Sequence, residues 1–297
     1  CLPLRAFAWN DSTSPSLFGN GFPRLDYYPV KNIGLIAGNG KFPLIFAEHA
    51  NRAGYNVVAI AHHGETDPAI ERFVKDIQWV YVGQLGKIIR NFQRAEVSEA
   101  VMAGGIRKVK LFDNFRPDLR GTRFLAKLKS REDDDLLRGI ANELAADGIN
   151  IIESTFCLSE IIPTQGVLTK RSPTQHEWND IHLGFRTAKE IGRLGIGQTV
   201  VIRKQIVLAV EAAEGTDAAI ERGGKLARSG SVVVKVSKPQ QDLRFDVPAV
   251  GLETVNRLHE VRGRVLAIEA GKTILLEKDS LLKHAEACGI SLVGVSG

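Results

Sequence analysis

Three carboxylates crowd one short stretch of this sequence, VLAVEAAEGTDAAIERGG: Glu211, Glu214 and Asp217. An apolar run with the character of a buried strand ends at Glu211, and the chain turns at Gly215 into a helix that opens on Thr216 and Asp217. Helix capping accounts for Asp217 alone, because an acid there meets the free N–H groups and the positive end of the helix. It does not account for the clustering. Hard divalent cations such as Mg²⁺ take oxygen ligands of this kind. A second acidic cluster is QQDLRFDVPAVG, where Asp242 and Asp246 stand four apart with Arg244 between them. In an extended segment that even spacing puts all three on one face. Two acids around an arginine suit a structural ion pair and, equally, a phosphate site with a metal or base beside it. A third acidic run, Glu132–Asp135, precedes an expected helix. Capping explains it, and a metal-ligand role for Asp133 or Asp134 is the lesser alternative.

Glycines supply the other chemistry. Gly38 and Gly40 lie in IAGNGKFP, between an apolar run and a helix that starts near Pro43, with Lys41 beside them. Such a loop presents backbone N–H groups and a helix N-terminus to phosphate. The third glycine of a dinucleotide fingerprint is missing, since Pro43 takes its place, and no GxxxxGK[ST] pattern occurs. A phosphate site and a tight turn both remain open for this loop. Gly83-Gln84 and Gly104-Gly105 end the next two expected strands, and in an open α/β sheet ligands bind at those ends. Arg107 and Lys108 follow and suit phosphate neutralisation, although each alone is equally a surface residue. His62-His63 follows another strand and is read as a loop pair before a metal site. Carboxylates, basic groups and phosphate-facing glycines are together what pyrophosphate hydrolysis needs: cations offset charge on the phosphoryl oxygens, and a carboxylate directs or deprotonates water.

These residues need elements to hold them. IGLIA, YNVVAIA, Ile77–Val82, Glu99–Gly105 and Ile149–Ser154 read as strands, alternating with helices. Such alternation implies a parallel sheet covered by helices. Residues 156–180, with Pro163 and Pro173, break the rhythm and read as a connector. Beyond it come a helix over His182–Leu194, two strands joined by a turn at Lys204–Gln205, a helix to about Arg228 and the strand SVVVKVS. After the loop around Asp242 come a helix over Leu252–Glu260, a hairpin of VLAIEAG and TILLE turning at Gly271-Lys272, a last helix and the strand ISLVGV. The expected fold class is α/β with two domains: an N-terminal open parallel Rossmann-like sheet over 31–155 and a C-terminal mixed α/β domain over 181–297. Residues 1–30, without periodic pattern or a signal-peptide pattern, read as a poorly ordered extension.

Composition narrows the classes. The chain has 297 residues, enough for about two domains. Three cysteines, widely spaced, fit neither a disulfide framework nor a zinc cluster, so a reducing cytoplasm is expected. The net charge of +5 is mild and shows no clustered basic stripe, so nucleic acid is not an expected partner. No apolar run is long enough to span a bilayer.

From Ile33 to the C-terminus the sequence resembles the metal-dependent UDP-2,3-diacylglucosamine pyrophosphatases of Gram-negative lipid A synthesis. The likeness rests on IGLIAGNGKFP, GQLGKII, AGGIRK, DDDLL, PTQHEWNDIHLGFRTAKEIGRLGIGQTVVI, VLAVEAAEGTDAAIERGG, QDLRFDVPAVG and VLAIEAGKTILLE. It departs at residues 1–30 and at Gln175 and His176, where a small residue is expected. The resemblance implies Mg²⁺-dependent hydrolysis of UDP-2,3-diacylglucosamine to UMP and 2,3-diacylglucosamine 1-phosphate (lipid X), with substrate between the two domains. It implies Asp246 and then Asp217 as catalytic carboxylates, with Glu211 and Asp242 completing a metal set. On the nucleotide side the implied contacts are Gly38, Gly40, Lys41, Gly83, Gln84, Gly104, Gly105 and Arg107. On the sugar-phosphate side they are Gln198, Thr216 and Arg244. A cytoplasmic protein, touching the inner membrane face through its substrate's acyl chains and compatible with a homodimer, completes the expectation. A nucleotide-sugar transferase or oxidoreductase, or a non-catalytic nucleotide-sugar-binding protein, would use the same crevice.

Overall fold

Short, largely apolar runs become the strands of two large sheets. The structure, a computed structural model, describes residues 31–107, 115–128 and 133–297, apart from the side chains of Asp133 and Asp134. The expected N-terminal extension, Lys108 and Glu132 lie outside the described residues.

In the first half the order is β1 (Asn32–Ala37), α1 (Phe42–Arg52), β2 (Asn56–His62), β3 (Asp76–Val80), α2 (Leu85–Arg94), β4 (Glu99–Ala103), α3 (Leu119–Lys127), α4 (Asp133–Ala145) and β5 (Asn150–Ile151). The strands form one parallel sheet in the order β3-β2-β1-β4-β5. Central β1 has helices on both sides, which is why Ile33, Leu35 and Ala37 are fully buried. Phe46 of α1 fills one face and Phe92 of α2 the other. The strand expected over Ile77–Val82 stops at Val80.

The second half holds β6 (Gly166–Val167), α5 (Gln175–Arg193), β7 (Thr199–Arg203), β8 (Ile206–Val210), α6 (Thr216–Ala227), β9 (Val232–Lys235), β10 (Ala249–Val250), α7 (Leu252–Glu260), β11 (Val265–Glu269), β12 (Ile274–Leu275), α8 (Lys278–Ala287) and β13 (Ser291–Val295). Its main sheet has the order β6-β13-β11-β9-β7-β8. Strands β9, β11 and β13 run parallel, whereas β6, and β7 against both its neighbours, pair antiparallel. The fold class is thus the expected one, an α/β chain with a parallel first sheet and a mixed second one.

Three local expectations change. Helix α5 begins at Gln175 rather than His182, because Thr174 and Glu177 form a capping box inside the stretch read as connector. Arg171 also donates to both oxygens of Glu177, at 2.7 and 2.8 Å. VLAIEAG and TILLE do not form a hairpin: β11 lies in the main sheet, and β12 pairs in parallel with β10. A buried strand with neighbours on both sides leaves no edge for a hairpin partner. The turn at Lys204–Gln205 does join an antiparallel pair. Both residues have positive φ (50° and 63°), and buried Asp180 accepts their backbone N–H groups at 2.9 and 2.7 Å.

The two halves share core. Ile274 is buried in the cluster around Phe46, with Val247, Ala249 and Leu276 packed on it. Phe245 packs against the cluster that holds Met102 and Phe92. The segment carrying Asp242–Asp246 is thereby fixed against the ends of the first sheet.

Candidate functional site

The first half brings two glycine loops together at the ends of β1 and β4. Gly38 N–H donates to the Ala103 carbonyl and Asn39 N–H to that of Gly105, both at 2.8 Å. The approach is so close that a Cβ on Gly104 would lie 2.2 Å from the Asn39 oxygen, and one on Gly38 2.4 Å from the Gly105 oxygen. Gly40 (φ 84°) lets the chain turn into α1. Behind these loops stands Glu65, which follows β2. Its Oε2 accepts from Asn39 Nδ2 (3.2 Å), Arg107 N–H (3.2 Å) and Arg107 Nε (3.1 Å). Burial alone would push this carboxyl up, but these donors hold it below the usual range. Arg107 Nη2 also donates to the Gly64 carbonyl, at 2.8 Å.

His62 is buried, with Nδ1 2.9 Å from the Ala37 carbonyl, and burial lowers its pKa. Thr66 donates to the same carbonyl at 2.6 Å. His62 is thus part of the loop's support. His63 stacks against Trp79 and lies 4.6 Å from the Tyr81 ring, over which Arg116 also sits.

Gly83 and Gln84 belong to a more occupied loop. Asp118 and Leu85 donate backbone N–H groups to the Gly83 carbonyl, and Gly121 of α3 packs against it. Gln84 Oε1 accepts from Tyr81 N–H and Lys87 Nζ, each at 3.1 Å. Lys41 reaches across to Glu277 at 2.7 Å, at the mouth of a groove of about 520 Å³ that Leu252, Glu253, Asn256 and Arg257 also line.

The second half gathers its acids around a lysine. Lys235 ends β9, is buried, and donates to Thr216 Oγ1 at 3.2 Å. Burial lowers its pKa, and the nearby charges of Glu211, Asp217 and Asp246 act against that. Thr216 in turn donates to Glu211 Oε1 at 2.8 Å, while Gln198 N–H donates to Glu211 Oε2 at 3.2 Å. Gln198 Oε1 is buried without a partner. Asp217 opens α6. Burial and the charge of Glu253 raise its pKa, with Lys235 and Arg257 opposing them. Asp246 is exposed, and its Oδ2 accepts from Gln241 Nε2 at 2.5 Å.

Glu214 turns away to Arg222 at 2.5 Å. Asp242 also goes elsewhere. The segment is not extended: Asp246 N–H bonds the Asp242 carbonyl across a turn, so the even-spacing argument fails there. Arg244 grips both Asp242 oxygens (2.9 and 2.7 Å), with Arg138 at 3.9 Å, and this pairing holds the Asp242 carboxyl down. Of the two readings open for this cluster, the ion pair describes Asp242 and Arg244. Ser154 Oγ lies 2.7 and 2.9 Å from the carbonyl oxygens of Met102 and Arg244 and shares its one proton between them, tying that turn to β4.

Of the sequence-predicted set, Gly38, Gly40, Gly104, Gly105 and Arg107 therefore meet at one place. Thr216 links Lys235 to Glu211, Gln198 lies beside Glu211, and the charges of Asp217 and Asp246 also reach Lys235. Among the described residues no three His, Cys, Asp or Glu side chains converge as a ready metal cage. A Mg²⁺ ion asks for less, since it keeps several waters and takes one or two carboxylates along with substrate phosphates. Glu211, Asp217 and Asp246, whose charges all reach Lys235, are the carboxylates available for it. Two buried charged groups at these places escaped the sequence reading, Glu65 and Lys235. The signal for Lys235 was a charged residue closing the apolar run SVVVK.

Comparison with known proteins bears on both halves. Residues 32–161 match the model of the LpxI N-terminal domain and residues 164–293 that of the LpxI C-terminal domain. The chain is 32% identical over 277 residues to the UDP-2,3-diacylglucosamine pyrophosphatase LpxI of Caulobacter vibrioides, covering 90% of this chain and 98% of that protein.

Proposed function

The chain belongs to the LpxI family, and on that premise we propose that it hydrolyses the pyrophosphate bond of UDP-2,3-diacylglucosamine, releasing UMP and 2,3-diacylglucosamine 1-phosphate. The observation that carries the reading is the group around Lys235: one buried cation with Glu211, Asp217 and Asp246 about it, beside the turn fixed to the first sheet. Two kinds of site are needed, one for a nucleotide and one for phosphoryl chemistry, and the two halves have one each.

On the nucleotide side, the start of α1, which the paired glycine loops set in place, and the outer edge of the Arg107 guanidinium hold phosphate oxygens. On the other side, Asp246 is the exposed carboxylate and takes the proton from water. The water oxygen bonds to one phosphorus as the bridging P–O bond breaks, and the other phosphate departs as an anion. Lys235 offsets the charge of the neighbouring carboxylates and, through Thr216, is tied to Glu211. A Mg²⁺ ion held by Asp217 and Asp246 would offset charge on the pyrophosphate oxygens.

The substrate's acyl chains bring the protein to the cytoplasmic face of the inner membrane. Among the described residues no helix is long and apolar enough to cross a membrane, which suits peripheral contact. A homodimer is compatible with this reading.

The test is incubation with UDP-2,3-diacylglucosamine, with and without Mg²⁺, followed by detection of UMP and lipid X. Both products should form with water as the only acceptor. A transferase would need a second acceptor, and a binding protein would show no turnover. Absence of both products under every divalent cation would overturn the proposal.

A further inference from the structure

Glu65 is an expensive residue to keep where it is. Its side chain is 1% exposed, and among the described residues only Oε2 has hydrogen-bond partners while buried Oε1 has none. A buried carboxylate with one oxygen unsatisfied weakens a fold, so stability alone does not explain it. Its partners do. Asn39 belongs to the loop after β1, Arg107 to the loop after β4, and Glu65 itself to the loop after β2. One carboxylate oxygen thus joins three loops at the end of the parallel sheet where phosphate is expected. The Arg107 side chain, half exposed, is held from behind by Glu65 through Nε and by the Gly64 carbonyl through Nη2. Its position is set without covering its outer edge.

We propose that Glu65 is a positioning residue for the nucleotide: it locks Arg107 and the Gly38–Gly40 loop into a preformed anion cradle, and so sets affinity for the nucleotide phosphate without touching it. This rests on the reading of the first half as the nucleotide side. A guanidinium on a flexible stem loses rotamer freedom when it binds phosphate, and a carboxylate that fixes it beforehand removes that cost. The Glu65 charge also belongs to the pair, so Arg107 without it is both looser and differently oriented.

The experiment is a double-mutant cycle on UMP binding by calorimetry, with Glu65→Ala, Arg107→Ala and the double variant in the full chain, and a melting temperature for each. Loss of a charge-assisted contact weakens binding about ten- to hundredfold. Because Glu65 acts partly through Arg107, the double variant loses less UMP affinity than the two single losses together. Equal UMP affinity in Glu65→Ala and the unaltered protein would overturn the inference, even if the melting temperature falls. So would single losses that simply add in the double variant. Should Glu65→Ala be unfolded at the assay temperature, Glu65→Gln, which keeps the volume and one accepting oxygen, takes its place in the cycle. If the unaltered protein binds no UMP, the nucleotide-side reading fails and this inference with it. UMP affinity that is unchanged in Glu65→Ala sinks this inference alone.

Discussion

Replacing Gly104 by alanine tests how closely the two glycine loops at the ends of β1 and β4 must meet. The added Cβ would sit 2.2 Å from the Asn39 carbonyl oxygen. An ordinary C···O contact is about 3.3 Å, so the loops must part by about 1 Å. The backbone adds a second cost, because Gly104 has φ 78°, and left-handed geometry costs an L-residue about 1–2 kcal/mol. Parting the loops also stretches the two 2.8 Å bonds from Gly38 and Asn39, at about 0.5–1.5 kcal/mol each. The sum is about 2–5 kcal/mol. Gly54→Ala is the control: its φ is 86°, but a Cβ there would meet nothing within 4 Å. That variant should show the backbone cost alone. In thermal melts Gly104→Ala should fall further than Gly54→Ala, by about 2–4 °C for each additional kcal/mol. A 1 Å misplacement of binding groups can cost about a hundredfold in rate, so kcat/KM should fall on that order in Gly104→Ala and stay level in Gly54→Ala. Equal melting temperatures and equal kcat/KM in the two variants would refute the argument.

Lys235→Met removes the buried cation on which the charges of Glu211, Asp217 and Asp246 act, while keeping most of the side-chain volume. It should lower kcat at least about a hundredfold, and a kcat within threefold of the unaltered protein would count against the account. His62 has its pKa lowered by burial, so the unfolded chain takes up a proton near pH 6.5 that the folded chain refuses. Stability should therefore fall as pH drops below about 6.5, until the lower folded pKa is reached, with a slope of at most about 1.4 kcal/mol per pH unit. Melts from pH 7.5 to 5.5, conditions chosen to bracket that value, should show a flatter trend for His62→Asn; an identical slope would exclude His62 as the cause. Thr174→Ala breaks the capping box of α5 and should cost about 0.5–2 kcal/mol by urea denaturation, whereas no change in midpoint would show that Arg171 and Glu177 hold the helix start unaided.

The parallel first sheet was legible because its strands are short apolar runs closed by Gly38, Gly83 and Gly104, a pattern that survives any detail of packing. The hairpin of β11 and β12 misled because Gly271-Lys272 is a good turn locally. Pairing was decided by burial: β11 is wholly buried between β9 and β13, and β12 finds β10. The α5 capping box could be read as T-x-x-E at Thr174–Glu177, but prolines before it obscured the helix start. Sequence proximity put Glu214 and Asp242 among the working acids. Three-dimensional neighbours removed them, since Arg222 and Arg244 each claim one. Glu65 and Lys235 lay hidden for the opposite reason. Their partners, Arg107 and Thr216, are 42 and 19 residues away, and no local spacing reveals a contact of that kind.

The division of labour between the halves is the central claim, with the glycine loops holding the nucleotide and the carboxylates by Lys235 doing the chemistry. Asp246→Asn keeps the shape of the side chain and its contact with Gln241 but removes the charge that accepts a proton. Its turnover of UDP-2,3-diacylglucosamine and its affinity for UMP should be measured on one preparation. The account predicts a fall in kcat of about 10²–10⁴, as for loss of a general base, with UMP affinity changed by less than about threefold. Full turnover in Asp246→Asn, or loss of UMP binding in step with turnover, would contradict it.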